Sequence, residues 1–379
     1  MNASAPIDLD RIDAGTRSLL RRFGFDEALF GELRARVAAG ELRPESNVVR
    51  GTVEPPPEDA IERLPAPDET GYDQARETGL QALRAGEVAV AVLNGGMATR
   101  FGGRVKGIVE AVDGRSFLEW KLLDAARAAQ VVGAPVPFVV MNSFQTDAPT
   151  RTWFEERGGD GLPDPIFFSQ FISLRLRPDG SLFLDREGRP SPYGPGHGDF
   201  AFALRASGTL ERLRERGVRL LALSNVDNLG ARVDPAVLGL HRLRGRAMTA
   251  EVADKREGDA GGAPARLDGH TMLLEGFRFP PDFDASRIPV FATNSFVFEL
   301  DALAEDYPLT WFCVHKEVDG RPAVQLERLV NELSTFLSTT YLAVRRTGPR
   351  GRFFPIKTPA DLERSGEGLA EMLHSSVLN

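Results

Sequence analysis

The chain of 379 residues carries 46 Lys and Arg against 54 Asp and Glu, a formal charge of −8, with 42% hydrophobic and 26% charged residues. That length can bury a sizeable core, and the negative balance disfavours nucleic acid or an anionic membrane as partner while leaving room for a local cationic pocket. No apolar run approaches the roughly 20 residues of a spanning helix, and the N-terminus has no secretory pattern. The single cysteine, Cys313, excludes an intrachain disulfide or a multi-cysteine metal site and reads as a small buried hydrophobe, so a cytoplasmic protein is expected.

Apolar residues at helical spacing predict two short helices near 12–23 and 29–37, the second stopped by Gly40. Residues 54–68, with Pro55, Pro56, Pro57, Pro65 and Pro67, read as an extended connector. A helix over 71–85 leads into a buried strand at 88–93. From there strands (137–141, 166–168, 218–223) alternate with helices (117–130, 148–156, 202–216), which predicts a largely parallel sheet covered on both faces. Strands are expected at 182–184, in a hairpin closed by Asp179-Gly180, and at 250–254, 271–277 and 291–298. Leu326, Leu329, Val330 and Leu333 predict a helix over 323–337, and a strand-like segment at 353–356 precedes a final acidic helix. The organisation expected is an N-terminal extension and connector (1–70), a main α/β domain (71–340) and a C-terminal segment (341–379).

The apolar strand runs into Leu93-Asn94-Gly95-Gly96, followed by Arg100 and Lys106. Glycines let a backbone turn tightly against phosphates, and the two cations would neutralise charge as pyrophosphate leaves. The spacing fits neither the P-loop nor G-x-G-x-x-G, and by itself the segment also reads as a glycine turn with surface cations. Asp227, in Ser224-Asn225-Val226-Asp227-Asn228-Leu229-Gly230 at the end of the 218–223 strand, is a Mg²⁺ ligand candidate, because strand C-termini face the ligand crevice and Mg²⁺ takes few carboxylates beside phosphate and water. The bland alternative is an Asx turn; Asn225 would cap or bind sugar. In Tyr193-Gly194-Pro195-Gly196-His197-Gly198-Asp199 three glycines surround a histidine that either faces a ligand or is solvated, and Asp199 is an N-cap candidate. Lys357 follows 352–356, and Asn294 lies at a strand end suited to sugar hydroxyls or a turn.

In order, LNGGMATRFGGRVKG (93–107), MNSFQTD (141–147), FFSQF (167–171), GPGHGDF (194–200), SNVDNLGARVD (224–234), FATNSFVF (291–298), KEVDG and VQLERLV (316–330) and RFFPIKTPADL (352–362) resemble the UTP-dependent sugar-1-phosphate uridylyltransferases of the eukaryotic UDP-glucose pyrophosphorylase type. The resemblance implies an α/β, Rossmann-like (GT-A-like) nucleotidyltransferase with a mixed central sheet flanked by helices. It implies that Leu93, Asn94, Gly95 and Gly96 line the nucleotide, and that Gln170 and Gly196 read uracil with His197 close by. Asp227 would hold Mg²⁺ beside the phosphates, while Asn225, Glu275 and Asn294 meet the sugar and Arg100, Lys106 and Lys357 meet the phosphates. The expected reaction transfers uridylyl from UTP to a hexose 1-phosphate, glucose 1-phosphate first, with an N-acetylhexosamine or galactose acceptor, or a non-catalytic regulator, as alternatives. The first motif departs from the family's G-G-x-G-T-R-x-G-x-x-x-P-K by Ala98, Val105 and one residue fewer before Lys106. The chain also ends soon after Lys357, with no counterpart of the C-terminal β-helix through which many relatives associate, so oligomeric state is not carried over.

Overall fold

Eight strands build the central sheet of this computed structural model: β1 (Ile61–Arg63), β2 (Val88–Asn94), β3 (Phe138–Asn142), β4 (Ile166–Ser169), β5 (Leu220–Asn225), β6 (Met248–Asp254), β7 (Val290–Glu299) and β8 (Thr339–Ala343). The structure describes residues 12–98, 103–157, 163–256, 259, 261–375 and 377–378. Spatial order is β1-β8-β6-β7-β5-β2-β3-β4, with β7 antiparallel to both neighbours and the other pairs parallel. The sheet is therefore mixed, as expected.

Strand β2 shows why the sheet is buried on both faces. Val88, Val90 and Val92 enter one core cluster, while Ala89, Ala91 and Leu93 enter the other, as the two-residue period of a strand requires. The first face is covered by α3 (Tyr72–Arg84), α4 (Phe117–Val132), α8 (Pro235–Arg244) and α9 (Pro359–His374); the second by α6 (Phe200–Ala206) and α7 (Thr209–Glu215). Burial of each large side chain in these layers is worth about 1.5–3 kcal/mol. Helix α4 starts at a capping box, Ser116 with Glu119, and stops at Gly133 in the left-handed region (φ 72°). Helices α3 and α8 meet backbone to backbone: a Cβ on Gly79 would stand 1.9 Å from Pro235 O, and one on Gly239 1.7 Å from Ala75 O.

The N-terminal helices α1 (Ala14–Arg22) and α2 (Glu27–Ala38) pack Leu20, Phe23, Phe30, Leu33 and Val37 against Leu174, Cys313, Val324 and Leu326. Cys313 is buried, and burial pushes its thiol up to about 11. Among the described residues no helix is long and apolar enough to cross a membrane.

Five expectations are corrected. Residues 323–337 are not a helix: Arg321–Glu327 is a strand paired antiparallel with Phe312–Val318, and a 3-10 turn follows at Val330–Thr335. Val324 and Leu326 alternate into the layer under α1 and α2, so pairing with a distant strand overrides the helical spacing, which holds only beyond 329. The span 202–216 breaks at Gly208 (φ 70°) into α6 and α7. The connector contributes β1 to the sheet edge beside β8, and at 182–184 only isolated bridges form, Leu176 with Leu182 and Leu184 with Pro190. At 353–356 the structure holds one bridge, Pro355 with Asn228.

Candidate active site

Parallel registry lines up the strand ends: Asn225 pairs with Leu93, Asn94 with Asn142, and Asn142 with Ser169. The loops that follow β2, β3, β4 and β5 thus leave one edge of the sheet, where ligands of open α/β folds bind.

At the centre of that edge the Lys106 ammonium forms an ion pair with Asp227 Oδ2, with side-chain exposures of 14% and 19%. Lys106 follows a short ladder in which Met97 pairs with Val105, and its N–H donates to Gly96 O at 3.3 Å. Arg100 lies outside the described residues. The turn bearing Asp227 is held by Asn228, whose amide donates to Arg352 O (3.1 Å) and Ser295 Oγ (3.3 Å) and accepts from Phe354 N–H (2.9 Å). Ile356 N–H donates to Asp227 O at 3.2 Å. These bonds bring Lys357, exposed and next in the chain, beside Asp227.

Beneath the turn lies a buried charged layer that the sequence did not announce. Lys121 of α4 donates to Ser224 Oγ (3.0 Å) and Ala231 O (2.6 Å), tying both ends of the turn together; burial pushes its ammonium down to about 7. Arg352 donates to Glu251 at 2.8 and 2.6 Å and pairs with Asp234 at 3.4 Å. The one signal for Lys121 was a lysine inside an otherwise apolar helical face.

On the other side Gln170 is fixed by its N–H to Asn142 O (2.9 Å), and its amide lies against two glycines. A Cβ on Gly95 would be 3.5 Å from that amide, and one on Gly194 only 1.7 Å from Nε2. Gly196 takes φ +91°, and its loop docks on the chain at 328: Gly198 N–H donates to Arg328 O and Arg328 N–H to Pro195 O, each at 2.8 Å. His197 Nδ1 accepts from Val330 N–H at 3.1 Å, so the neutral ring carries its proton on Nε2, and burial pushes its pKa down to about 4. Asp199 occupies the N-cap position of α6, but its side chain makes no capping bond; fully buried, it pairs with Arg328, which is stacked between Phe202 and Trp311 at 4.2 and 4.4 Å. Burial raises Asp199 to about 6 despite that partner.

The third corner is polar. Asn294 sits in the β7 bulge, where registry with β6 passes from Ala250–Phe296 to Val252–Ala292, and takes a left-handed φ of 55° that few non-glycine residues adopt. Ser295 pairs with Ser224, which places Asn294 beside Asn225 at the end of β5. Asn331 joins Asn294 to Glu275, with bonds of 3.1 and 2.7 Å. Asn331 was missed because it lay within the expected helix.

Two expected nucleotide residues turn inward. The Asn94 amide is buried and donates to Asn142 Oδ1 (2.8 Å) and Thr150 Oγ1 (3.0 Å), and the Leu93 side chain is in the core, so either can face a ligand only through its backbone. Lys106, Asp227, Asn225, Asn294 and Glu275 form one continuous border, and Gly95, Gly96, Gln170, Gly196 and His197 the other; Val330-Asn331 links the two.

The profile of the family described as UTP–glucose-1-phosphate uridylyltransferase matches residues 31–377. Proteins of that name from Hordeum vulgare (28% identical, covering 95% of this chain and 78% of that protein) and Astragalus penduliflorus (30%, covering 77% and 64%) are similar in sequence. The UDP-glucose pyrophosphorylase of Leishmania major superposes with a TM-score of 0.72 at 26% identity, covering 93% of this chain and 78% of that one. A UDP-N-acetylglucosamine pyrophosphorylase from Trypanosoma brucei shares the fold, with a TM-score of 0.76 at 22% identity, covering 94% and 80%. The chain spans 64% of the Astragalus relative's length and 78% of the Hordeum one's. The family match over nearly the whole chain, on a mixed nucleotidyltransferase sheet whose loops gather at one edge, establishes that this chain belongs to the UTP–glucose-1-phosphate uridylyltransferase family.

Proposed function

We propose that the chain transfers a uridylyl group from UTP to a hexose 1-phosphate, with glucose 1-phosphate the preferred acceptor, giving a UDP-sugar and pyrophosphate. The observation that carries the reading is the convergence on one sheet edge of a lysine–aspartate pair, a glycine-lined glutamine and a carboxylate–amide cluster. These suit, in turn, phosphates, a base and sugar hydroxyls. The relative from Leishmania major has been solved in complex with UDP-glucose.

In this reading an oxygen of the sugar phosphate attacks the α-phosphorus of UTP in line, and the bond to the β-phosphate oxygen breaks as pyrophosphate leaves. The nucleophile is already ionised, so no base is needed and catalysis is positioning and charge neutralisation. Lys106, paired with Asp227, and Lys357, next to the residue whose N–H bonds Asp227 O, supply cations to the phosphates, with Arg100 assigned to the same task from its motif. His197, neutral and with Nδ1 occupied, offers its Nε2–H and removes no proton. Gln170 faces the base with an amide whose donor and acceptor suit a pyrimidine edge.

The donor set at Asp227 fits Mg²⁺. One part-exposed carboxylate at a strand end suits an ion that takes its remaining ligands from phosphate and water. When bound, Mg²⁺ would add charge neutralisation at the phosphates.

The test is pyrophosphate release from UTP and Mg²⁺ with glucose, galactose and N-acetylglucosamine 1-phosphates in parallel. Release led by glucose 1-phosphate supports the proposal; release led by another acceptor moves the specificity, and no release with any of them refutes the transferase reading.

A further inference from the structure

Asn331 is 2% exposed, an unusual place for an amide. Its Oδ1 is buried without a partner, a cost that an apolar side chain of similar size would avoid. What the residue does is donate twice, to Glu275 Oε1 at 2.7 Å and to Asn294 Oδ1 at 3.1 Å.

The chemistry of the groups fixes the direction of both bonds. An ionised carboxylate only accepts, so the atom facing Glu275 is Nδ2. The same nitrogen only donates, so Asn294 must turn its carbonyl toward Asn331 and its own amide nitrogen away. Glu275 keeps Oε2 for another donor. Both residues are part-exposed above the buried Asn331, and the left-handed bulge at Asn294 fixes the backbone from which its side chain projects. The position of Asn331 is itself set from both sides: Ser334 Oγ donates to its carbonyl at 2.7 Å, and the preceding Val330 N–H is spent on His197.

We propose that Asn331 is the positioning residue of the sugar subsite, orienting Glu275 and Asn294 so that one carboxylate acceptor and one amide donor meet neighbouring hydroxyls of the hexose. The inference rests on the uridylyltransferase reading and names the residue that tunes its acceptor specificity. A donor–acceptor pair of this kind recognises free hydroxyls, since each hydroxyl both gives and takes a hydrogen bond. Burial raises the Glu275 carboxyl above its ordinary range, and the Asn331 bond, with Arg278, holds that rise back. Removing the Asn331 donor leaves the carboxylate with less support.

The experiment compares Asn331→Leu and Asn331→Ala with wild type, both of which remove the double donor without placing a charge beside Glu275. The KM for glucose 1-phosphate is expected to rise about tenfold or more, the loss of one well-placed hydrogen bond, with kcat and the KM for UTP nearly unchanged and the melting temperature still above the assay temperature. Selectivity for glucose 1-phosphate over its 2-deoxy and 3-deoxy analogues should shrink in parallel. Equilibrium binding gives a readout independent of turnover: UDP-glucose should bind about tenfold more weakly and UDP as before. Unchanged sugar KM and selectivity in both variants, or an equal rise in the KM for UTP, overturns the positioning role while leaving the transferase reading intact. A wild-type protein inactive with every acceptor overturns that reading, and this inference with it.

Discussion

Gly194→Ala adds one methyl group at the corner assigned to the base. The new Cβ would lie 1.7 Å from Gln170 Nε2 and 2.9 Å from its Cδ, where a relaxed contact needs about 3.5 Å, so the amide must move by roughly 2 Å. The amide is the free end of a flexible side chain whose backbone is held by its N–H to Asn142 O, so it swings aside at little cost in stability and loses its place at the base. Gly194 is not among the glycines with positive φ, so the backbone accepts alanine and the effect falls on the glutamine alone. If that amide makes two hydrogen bonds to the base, their loss is worth about 2–3 kcal/mol, or roughly 30- to 150-fold in the KM for UTP. Initial rates against UTP at saturating sugar phosphate measure it, with a thermal melt as control. Gln170→Ala should give a similar loss, and the double variant should be no worse than Gln170→Ala, because the clash has lost its target. A KM for UTP within twofold of wild type in Gly194→Ala, or additive penalties in the double variant, would refute the reasoning.

Asp227→Asn keeps the shape of the turn and removes its charge; turnover should fall by about 10²–10³-fold, with a far-UV spectrum like wild type, whereas near-normal rates at saturating Mg²⁺ would rule out a role at the metal and phosphates. Arg352→Met leaves Glu251 and Asp234 buried without their partner and should cost about 3–5 kcal/mol in urea unfolding, with activity lost as the Asn228 turn loosens; a cost below about 1 kcal/mol would mean that the pair is not buried in solution. His197 is held below its ordinary 6.5, at about 4, so as pH falls the unfolded chain takes up that proton first. Its contribution is therefore full above pH 6.5 and lost progressively toward pH 4. Asp199, raised to about 6, acts with the opposite sign in an overlapping window. The informative quantity is thus the difference between wild type and His197→Gln, which retains Asp199: the variant should lose less stability between pH 6.5 and 4.5, and parallel curves would refute the burial of the ring.

The parts of this site readable in the sequence are those made by local rules. A run of valines and alanines can only be a strand buried on both faces, and the glycines and polar residues after it, like those after 223, mark the strand ends where ligands bind. Chemistry that depends on distant chain segments was not readable. The 323–337 stretch shows the reason: its apolar spacing suits a helix, but pairing with 312–318 and the cover of α1 and α2 make its first part a strand. That misreading concealed Arg328, Val330 and Asn331, whose backbone and side chain join the base loop to the sugar cluster. Lys121 was hidden differently, since a helical lysine is ordinarily solvated and only the arrival of the 224–231 turn above α4 buries it. Asn94 was assigned to the nucleotide from its place in the motif, whereas its side chain serves β3 and Thr150.

If this sheet edge joins UTP to a hexose phosphate, the two products form together. Phosphorus NMR of the purified chain with UTP, glucose 1-phosphate and Mg²⁺ tests it most directly, by following all reactants and products together. UDP-glucose and pyrophosphate should appear in equal amounts, and about 10²–10³-fold more slowly in Asp227→Asn. Intact UTP in the presence of folded wild-type protein, or release of inorganic phosphate without a nucleotide sugar, would contradict it.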